Sequence, residues 1–193
     1  MFVIEIREIS PDITIGILDL KRYSEKQELV AKRDIERSGT RELLKQLLGS
    51  TDFELCYTPE NKPYIKNSTT HISISHSHDK LVIICNKTSN TGIDIELVRG
   101  KVQNIQHKYL SEREIRFAAN DPDRLITLWA AKEALYKVYG LKEVEFIKHL
   151  AIEEYSGPEI KGRIEIKNIN KSYKLIHEKI DDYKMVYVLH EIH

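Results

Sequence analysis

The stretch from Asp121 to Gly140 constrains this chain more than any other. Asp121 can cap a helix, Pro122 suits the first helical position, and Gly140 marks a stop. Leu125, Leu128, Leu135 and Val138 recur at helical spacing with Ala131 filling the gap, so one stripe is built for burial. Ile126, Ala130, Glu133 and Lys137 form a second stripe, on which Glu133 and Lys137 are neighbours one turn apart. Such a pair, met alone, is most often a solvated helix contact worth a few tenths of a kcal/mol.

A second stretch changes that balance. Gly92-Ile93-Asp94-Ile95-Glu96 alternates apolar and acidic residues, which is strand spacing. Ile93, Ile95 and Leu97 point to one face, Asp94 and Glu96 to the other. Two carboxylates about 7 Å apart on one strand face repel unless a cation sits between them.

Elsewhere the pattern is of strands and helices in two rounds. Residues 2–8 and 12–19 read as strands around a Ser10-Pro11-Asp12 turn. Ser24 and Gln27 suggest a capping box opening a helical region to Leu48, interrupted at Gly39 and closed by Gly49. Phe53–Tyr57 reads as a strand, Pro59–Pro63 as a loop, and His71–Ser77 and Leu81–Asn86 as two more strands. Ser111 and Glu114 suggest a capping box for a short helix before the long one. Strands follow at about 148–154, 162–169, 172–178 and 183–190.

Taken in order, the acidic strand and the Trp129-Ala130-Ala131-Lys132-Glu133-Ala134-Leu135-Tyr136-Lys137 helix resemble the signature of the 4′-phosphopantetheinyl transferases, G-[IV]-D-[IV]-E followed by [FW]-x-x-K-E-[AS]-x-x-x-K. The spacing from Glu96 to Glu133 is similar to that of the longer, pseudo-dimeric branch, the surfactin-synthetase-activating type. The resemblance implies an α+β fold of two similar α/β halves, each a long helix packed on a mainly antiparallel sheet, related by a pseudo-two-fold axis. Residues 1–89 would form the half holding the nucleotide of coenzyme A, and residues 90–193 the half with the metal-binding motifs. It implies transfer of the phosphopantetheine arm of coenzyme A to a serine of an apo-carrier protein, with release of 3′,5′-ADP. A coenzyme A- or carrier-binding module of the same fold, without activity, is the alternative.

The resemblance assigns Asp94, Glu96 and Glu133 to Mg²⁺, a hard ion that takes carboxylates together with phosphates and water. Glu133, or a water held by the metal, would take the serine proton. Lys137 would place a positive charge by the diphosphate or the leaving nucleotide. Lys132 points about 100° away from Glu133 and would reach substrate or brace a carboxylate. Trp129 reads as core. Ser73-Ile74-Ser75-His76-Ser77 resembles the family's N-x-S-H-S stretch, with Ser73 in place of asparagine; Ser75 and His76 would contact coenzyme A. Asn61-Lys62-Pro63 resembles its G-K-P loop, and Asn61 can adopt the left-handed conformation its glycine would supply. Lys62 would lie near the nucleotide, and Arg41, with Lys32 and Arg33, near the 3′-phosphate.

Composition bounds the rest. Lys plus Arg and Asp plus Glu number 30 each among 193 residues, which argues against a dedicated nucleic-acid binder. No apolar run approaches membrane-spanning length. The N-terminus reads as a strand rather than a signal peptide. Cys56 and Cys85 fall in apolar, strand-like segments and read as reduced, buried thiols, so a cytoplasmic protein is expected. Two halves can form a site without a partner chain, so a monomer is expected. Carrier proteins are acidic, and residues 99–116 offer a basic docking segment: Arg99, Lys101, His107, Lys108, Arg113 and Arg116, with Val102, Ile105, Tyr109 and Leu110 interleaved.

Overall fold

The computed structural model describes residues 4–28, 31–98 and 105–193, and these belong to two compact units, 1–90 and 91–193. The first unit runs β1 (Ile4–Ser10), β2 (Ile13–Asp19), α1 (Leu20–Gln27), α2 (Lys32–Leu48), β3 (Leu55–Tyr57), β4 (Pro63–Ile65), β5 (His71–Ser77) and β6 (Lys80–Asn86). Its main sheet has the order β1-β2-β6-β5 with every pairing antiparallel, and β3 and β4 pair separately. The second unit runs β7 (Ile93–Leu97), α3 (Glu112–Ala118), α4 (Pro122–Tyr139), α5 (Phe146–His149), β8 (Leu150–Ser156), β9 (Glu159–Ile166), β10 (Ile169–Ile180) and β11 (Tyr183–Ile192). Its sheet has the order β7-β11-β10-β9-β8, again antiparallel throughout. The fold is α+β, and each unit sets one long helix against its sheet.

In the first unit α2 lies on β2 and β6. Leu18, Leu43, Leu44, Leu81 and Ile83 close the core between them, each burial stabilising by about 1.5–3 kcal/mol. The helical region departs from expectation at two points. Ser24 does not start it: Asp19 caps α1 by accepting from the Arg22 amide at 3.0 Å, and Ser24 lies inside the helix, donating to the Lys21 carbonyl. Gly39 does not break α2 either. A Cβ there would come 2.9 Å from the side chains of Leu18 and Leu20, so the glycine lets the helix press onto the sheet. Gly49 closes α2 in the left-handed conformation, as its position suggested.

In the second unit α4 is the centre of the core. Ten of its 18 residues are buried, including Leu125, Leu128, Leu135 and Val138, and they meet Leu150, Ile160, Ile164, Leu175 and Val186 from the sheet. Asp121, Pro122 and Gly140 delimit the helix as read from sequence. Ser111 and Glu114 form the capping box of α3. Cys85 is buried, which pushes its thiol up to about 12. Cys56 is only half-buried, because β3 belongs to a small two-stranded sheet rather than to the core sheet.

Candidate functional site

β7 and α4 approach at Gly92. A Cβ on this residue would lie 2.0 Å from the Ala134 carbonyl oxygen, so only glycine permits the contact. β7 is the edge strand of its sheet, yet its acidic residues are not left in water: Asp94 is 4% exposed and Glu96 is half-buried. Burying a carboxylate demands a compensating charge or hydrogen bonds. Lys137 supplies one, donating to Asp94 Oδ1 at 2.8 Å and to the Ile93 carbonyl at 2.9 Å. It therefore reaches across to the strand and does not form a solvated pair along its own helix.

Glu133 completes the set. Burial pushes its carboxyl up to about 7; the Asp94 carboxylate adds to the rise, Lys137 opposes it, and Glu96 raises it further. These mutual effects put three acids and a lysine in one neighbourhood. Trp129 packs edge-on to Tyr109 and stacked on Phe146, with centroids 4.9 and 5.4 Å apart, and its indole donates to Glu96 Oε1 at 3.1 Å. The aromatic packs against the core, as expected, but it is only partly buried and also holds an acid. Among the described residues no three His, Cys, Asp or Glu side chains stand grouped as a ready-made metal cluster. The donor chemistry of Asp94, Glu96 and Glu133, three hard carboxylates on facing elements, nonetheless suits a hard divalent cation.

Lys132 is wholly buried and braces a carboxylate: its ammonium donates to Glu114 Oε2 at 2.9 Å and to the Phe146 carbonyl at 3.0 Å. Glu114 also accepts from the amides of Ser111 and Ile152, at 2.7 and 2.8 Å. The pair ties α3, α4, α5 and β8 together behind the acids. Sequence reasoning missed Glu114 in this role, although the signal existed. Lys132 follows Leu128 by four positions and precedes Leu135 by three, so it lies on the core stripe, where a lysine needs a partner.

In the first unit Asn61 adopts φ 67°, the left-handed conformation its loop requires. Lys62 and Pro63 line a cavity of about 460 Å³ with Thr58, Tyr64, Thr70, His71 and Asn90, and the Lys62 ammonium donates to Asn90 Oδ1 at 3.4 Å. Burial holds that lysine below its ordinary range. Ser73 and Ser75 are buried on β5, and His76 is exposed, with Nδ1 3.4 Å from Glu36 Oε1. His76 does not line the Lys62 cavity. Arg41, exposed on α2, sits 5.4 Å over the Phe53 ring, and Lys32 and Arg33 are exposed near the start of the same helix.

The expected docking segment is less continuous than its composition suggests. Arg99, Lys101 and Val102 lie outside the described residues. Tyr109 and Leu110 are buried in the core and offer a partner no apolar surface, because α4 needs them as packing. Ile105, His107, Lys108 and Arg116 are exposed. Arg113 is engaged, donating to the Glu153 carbonyl at 3.0 Å and lying 5.6 Å over Phe117. Among the described residues no helix is long and apolar enough to cross a membrane.

No curated protein gives a significant match to the chain. The family model of the 4′-phosphopantetheinyl transferase superfamily matches residues 90–188, just over half of the 193 residues and the span that holds β7, α4 and their three acids. On that match, and with the signature residues gathered at one place in the fold, the chain belongs to the 4′-phosphopantetheinyl transferase superfamily.

Proposed function

We propose that this chain moves the 4′-phosphopantetheine arm of coenzyme A onto a serine of an apo-carrier protein, in the manner of the longer branch of its family. The observation that carries this is the gathering of three carboxylates, Asp94, Glu96 and Glu133, beside the Lys137 ammonium, which donates to Asp94 at 2.8 Å. A carboxylate in that group can take the proton of an attacking hydroxyl. The serine oxygen forms a bond to the β-phosphorus and its proton passes to Glu133. The bond from that phosphorus to the bridging oxygen breaks, and 3′,5′-ADP leaves with the electron pair.

Asp94, Glu96 and Glu133 are the residues that would hold Mg²⁺. When bound, the ion supplies positive charge to the diphosphate oxygens as negative charge builds on them. Lys137 adds a fixed positive charge and keeps Asp94 oriented. Trp129 fixes one oxygen of Glu96. We assign the nucleotide to the first unit. The Lys62 cavity has the volume of a small-ligand site, and its lysine, histidine and hydroxyls suit a phosphorylated nucleoside. Ser75, His76 and Arg41 are assigned to the same substrate.

The test is incubation with coenzyme A, Mg²⁺ and several apo-carriers, read by intact mass. A carrier should gain one phosphopantetheine, and a chelator should stop the gain. Asp94→Asn should abolish transfer while the protein stays folded. Full transfer by that variant, or transfer untouched by the chelator, refutes the metal assignment.

A further inference from the structure

The face of the second sheet that meets α4 carries a lysine that the candidate site does not use. In the antiparallel pairing of β7 with β11, Lys184 is the partner of Glu96, as Val186 is of Asp94. Residues directly opposite share a face, with Cβ atoms about 4.5–5.5 Å apart. The four-carbon stem of a lysine spans that gap, so the Lys184 ammonium has the Glu96 carboxylate within reach. It is turned to another acid. Its Nζ lies 2.9 Å from Asp123 Oδ2, in the first turn of α4, and the Lys179 ammonium approaches the same oxygen at 3.6 Å. The Lys184 ammonium holds the Asp123 carboxyl below its ordinary range. Lys179 is exposed and can turn to water. Lys184 is 8% exposed, so its charge needs an acid.

We infer that Asp123 is a positioning residue, holding Lys184 so that it does not compete with a divalent cation for the Glu96 carboxylate. The inference rests on the assignment of Asp94, Glu96 and Glu133 to a metal made above. With all three ionised, the carboxylates less the Lys137 ammonium leave two negative charges for the ion. A second ammonium at Glu96 would leave one, and the affinity of a carboxylate site follows its charge. α4 serves both residues. Asp123 in its first turn takes the lysine, and Trp129 donates to Glu96 Oε1. The helix dipole favours an acid in that first turn. Glu178 is no substitute for Asp123, because it is the partner of Met185 and so points to the opposite face of the sheet from Lys184.

The test is a Mn²⁺ titration of the metal-free protein with coenzyme A present, read by the paramagnetic resonance signal of the free ion. Asp123→Asn, which keeps the shape of the side chain, should weaken Mn²⁺ binding tenfold or more, because Lys184 then pairs with Glu96. Adding Lys184→Met should bring the dissociation constant back to within threefold of wild type. A merely structural role for Asp123 would leave the double variant as weak as the single one. That result, or Asp123→Asn binding within twofold of wild type, overturns the inference. So does failure of Asp123→Asn to fold, since Lys184 would then have found no second acid. Melting temperatures without metal give an independent answer. Asp123→Asn and Glu96→Gln together should lower the midpoint by more than the sum of their separate losses, and additive losses overturn the inference. A wild type that binds no Mn²⁺ refutes the metal assignment itself. A wild type that binds it as tightly as Asp123→Asn refutes only the role of Asp123.

Discussion

The long helices of the two units are built for different tasks, although each packs on an antiparallel sheet and each relies on a glycine for close packing. α2 buries only Gly39, Leu43 and Leu44, and its charged residues line a wetted face. α4 buries ten residues and encloses charge: Lys132 is wholly buried, and Lys137 and Glu133 are half-buried. The glycines differ in kind as well. Gly39 is a residue of the helix and meets the ends of flexible leucines. Gly92 immediately precedes β7 and meets the backbone of the helix. A helix with a wet face can change its charges at little cost to the fold. A helix that buries its charges fixes their geometry, and reactive groups need that constraint.

Substituting the two glycines should expose this contrast most sharply. Gly92→Ala must separate β7 from α4, because a carbonyl oxygen at 2.0 Å cannot yield as a side chain can. Destabilisation of more than about 4 kcal/mol, or loss of transfer beyond about a hundredfold in any folded fraction, is expected from overpacking against backbone. Gly39→Ala should cost no more than about 1–2 kcal/mol, since leucine ends can shift and alanine favours the helix by about 1 kcal/mol. Urea melts of both variants measure the difference, and equal costs would remove the contrast.

Next in size is the buried pair. Lys132→Met leaves the Glu114 carboxylate without its counter-charge and should destabilise by about 3–5 kcal/mol. Adding Glu114→Gln should recover a good part of the loss. On α2 the pair Lys32–Glu36, whose lysine stands in water, should be worth under 1 kcal/mol in the same double-mutant cycle.

Glu133 gives α4 a pH signature. Its folded-state value, about 7, is raised above the ordinary 4.5, so folding favours the protonated form. That contribution is complete below about pH 4.5 and is lost as pH rises through 7. Metal-free protein should lose on the order of 1–3 kcal/mol across that range, and Glu133→Gln should flatten the slope. Mg²⁺ should release a proton from the wild type at pH 6 and not from the variant, as calorimetry in buffers of different ionisation heat would report. An unchanged slope in the variant would place the titration elsewhere.

The smallest effect concerns the partner surface. Lys108 is exposed and makes no hydrogen bond or ion pair among the described residues, so Lys108→Glu should raise KM for the carrier a few-fold at low salt and leave that for coenzyme A alone. Arg113→Glu should cost stability as well, since its guanidinium holds the Glu153 carbonyl. Equal effects of Lys108→Glu on both substrates would show that the carrier docks on another face.

Much of the molecule was determined by sequence alone because the signals are local. The caps of α3 and α4, the alternation of β7, the stop at Gly49 and the left-handed Asn61 each depend on residues within a few positions of one another. The three acids were legible for the same reason, two by period 2 on a strand and one by its place on a helix. Tertiary structure decided how those charges are partnered. Lys137 pairs with Asp94, 43 residues away, and not with Glu133 one turn back. Lys132 finds Glu114, Trp129 finds Glu96, and His76 finds Glu36. Tyr109 and Leu110, apolar residues within a basic segment, became core because α4 needed cover. A period states which face a side chain takes. It does not state what burial will bring to that face, and a buried charge is settled by the partner within reach rather than by its neighbour in the chain.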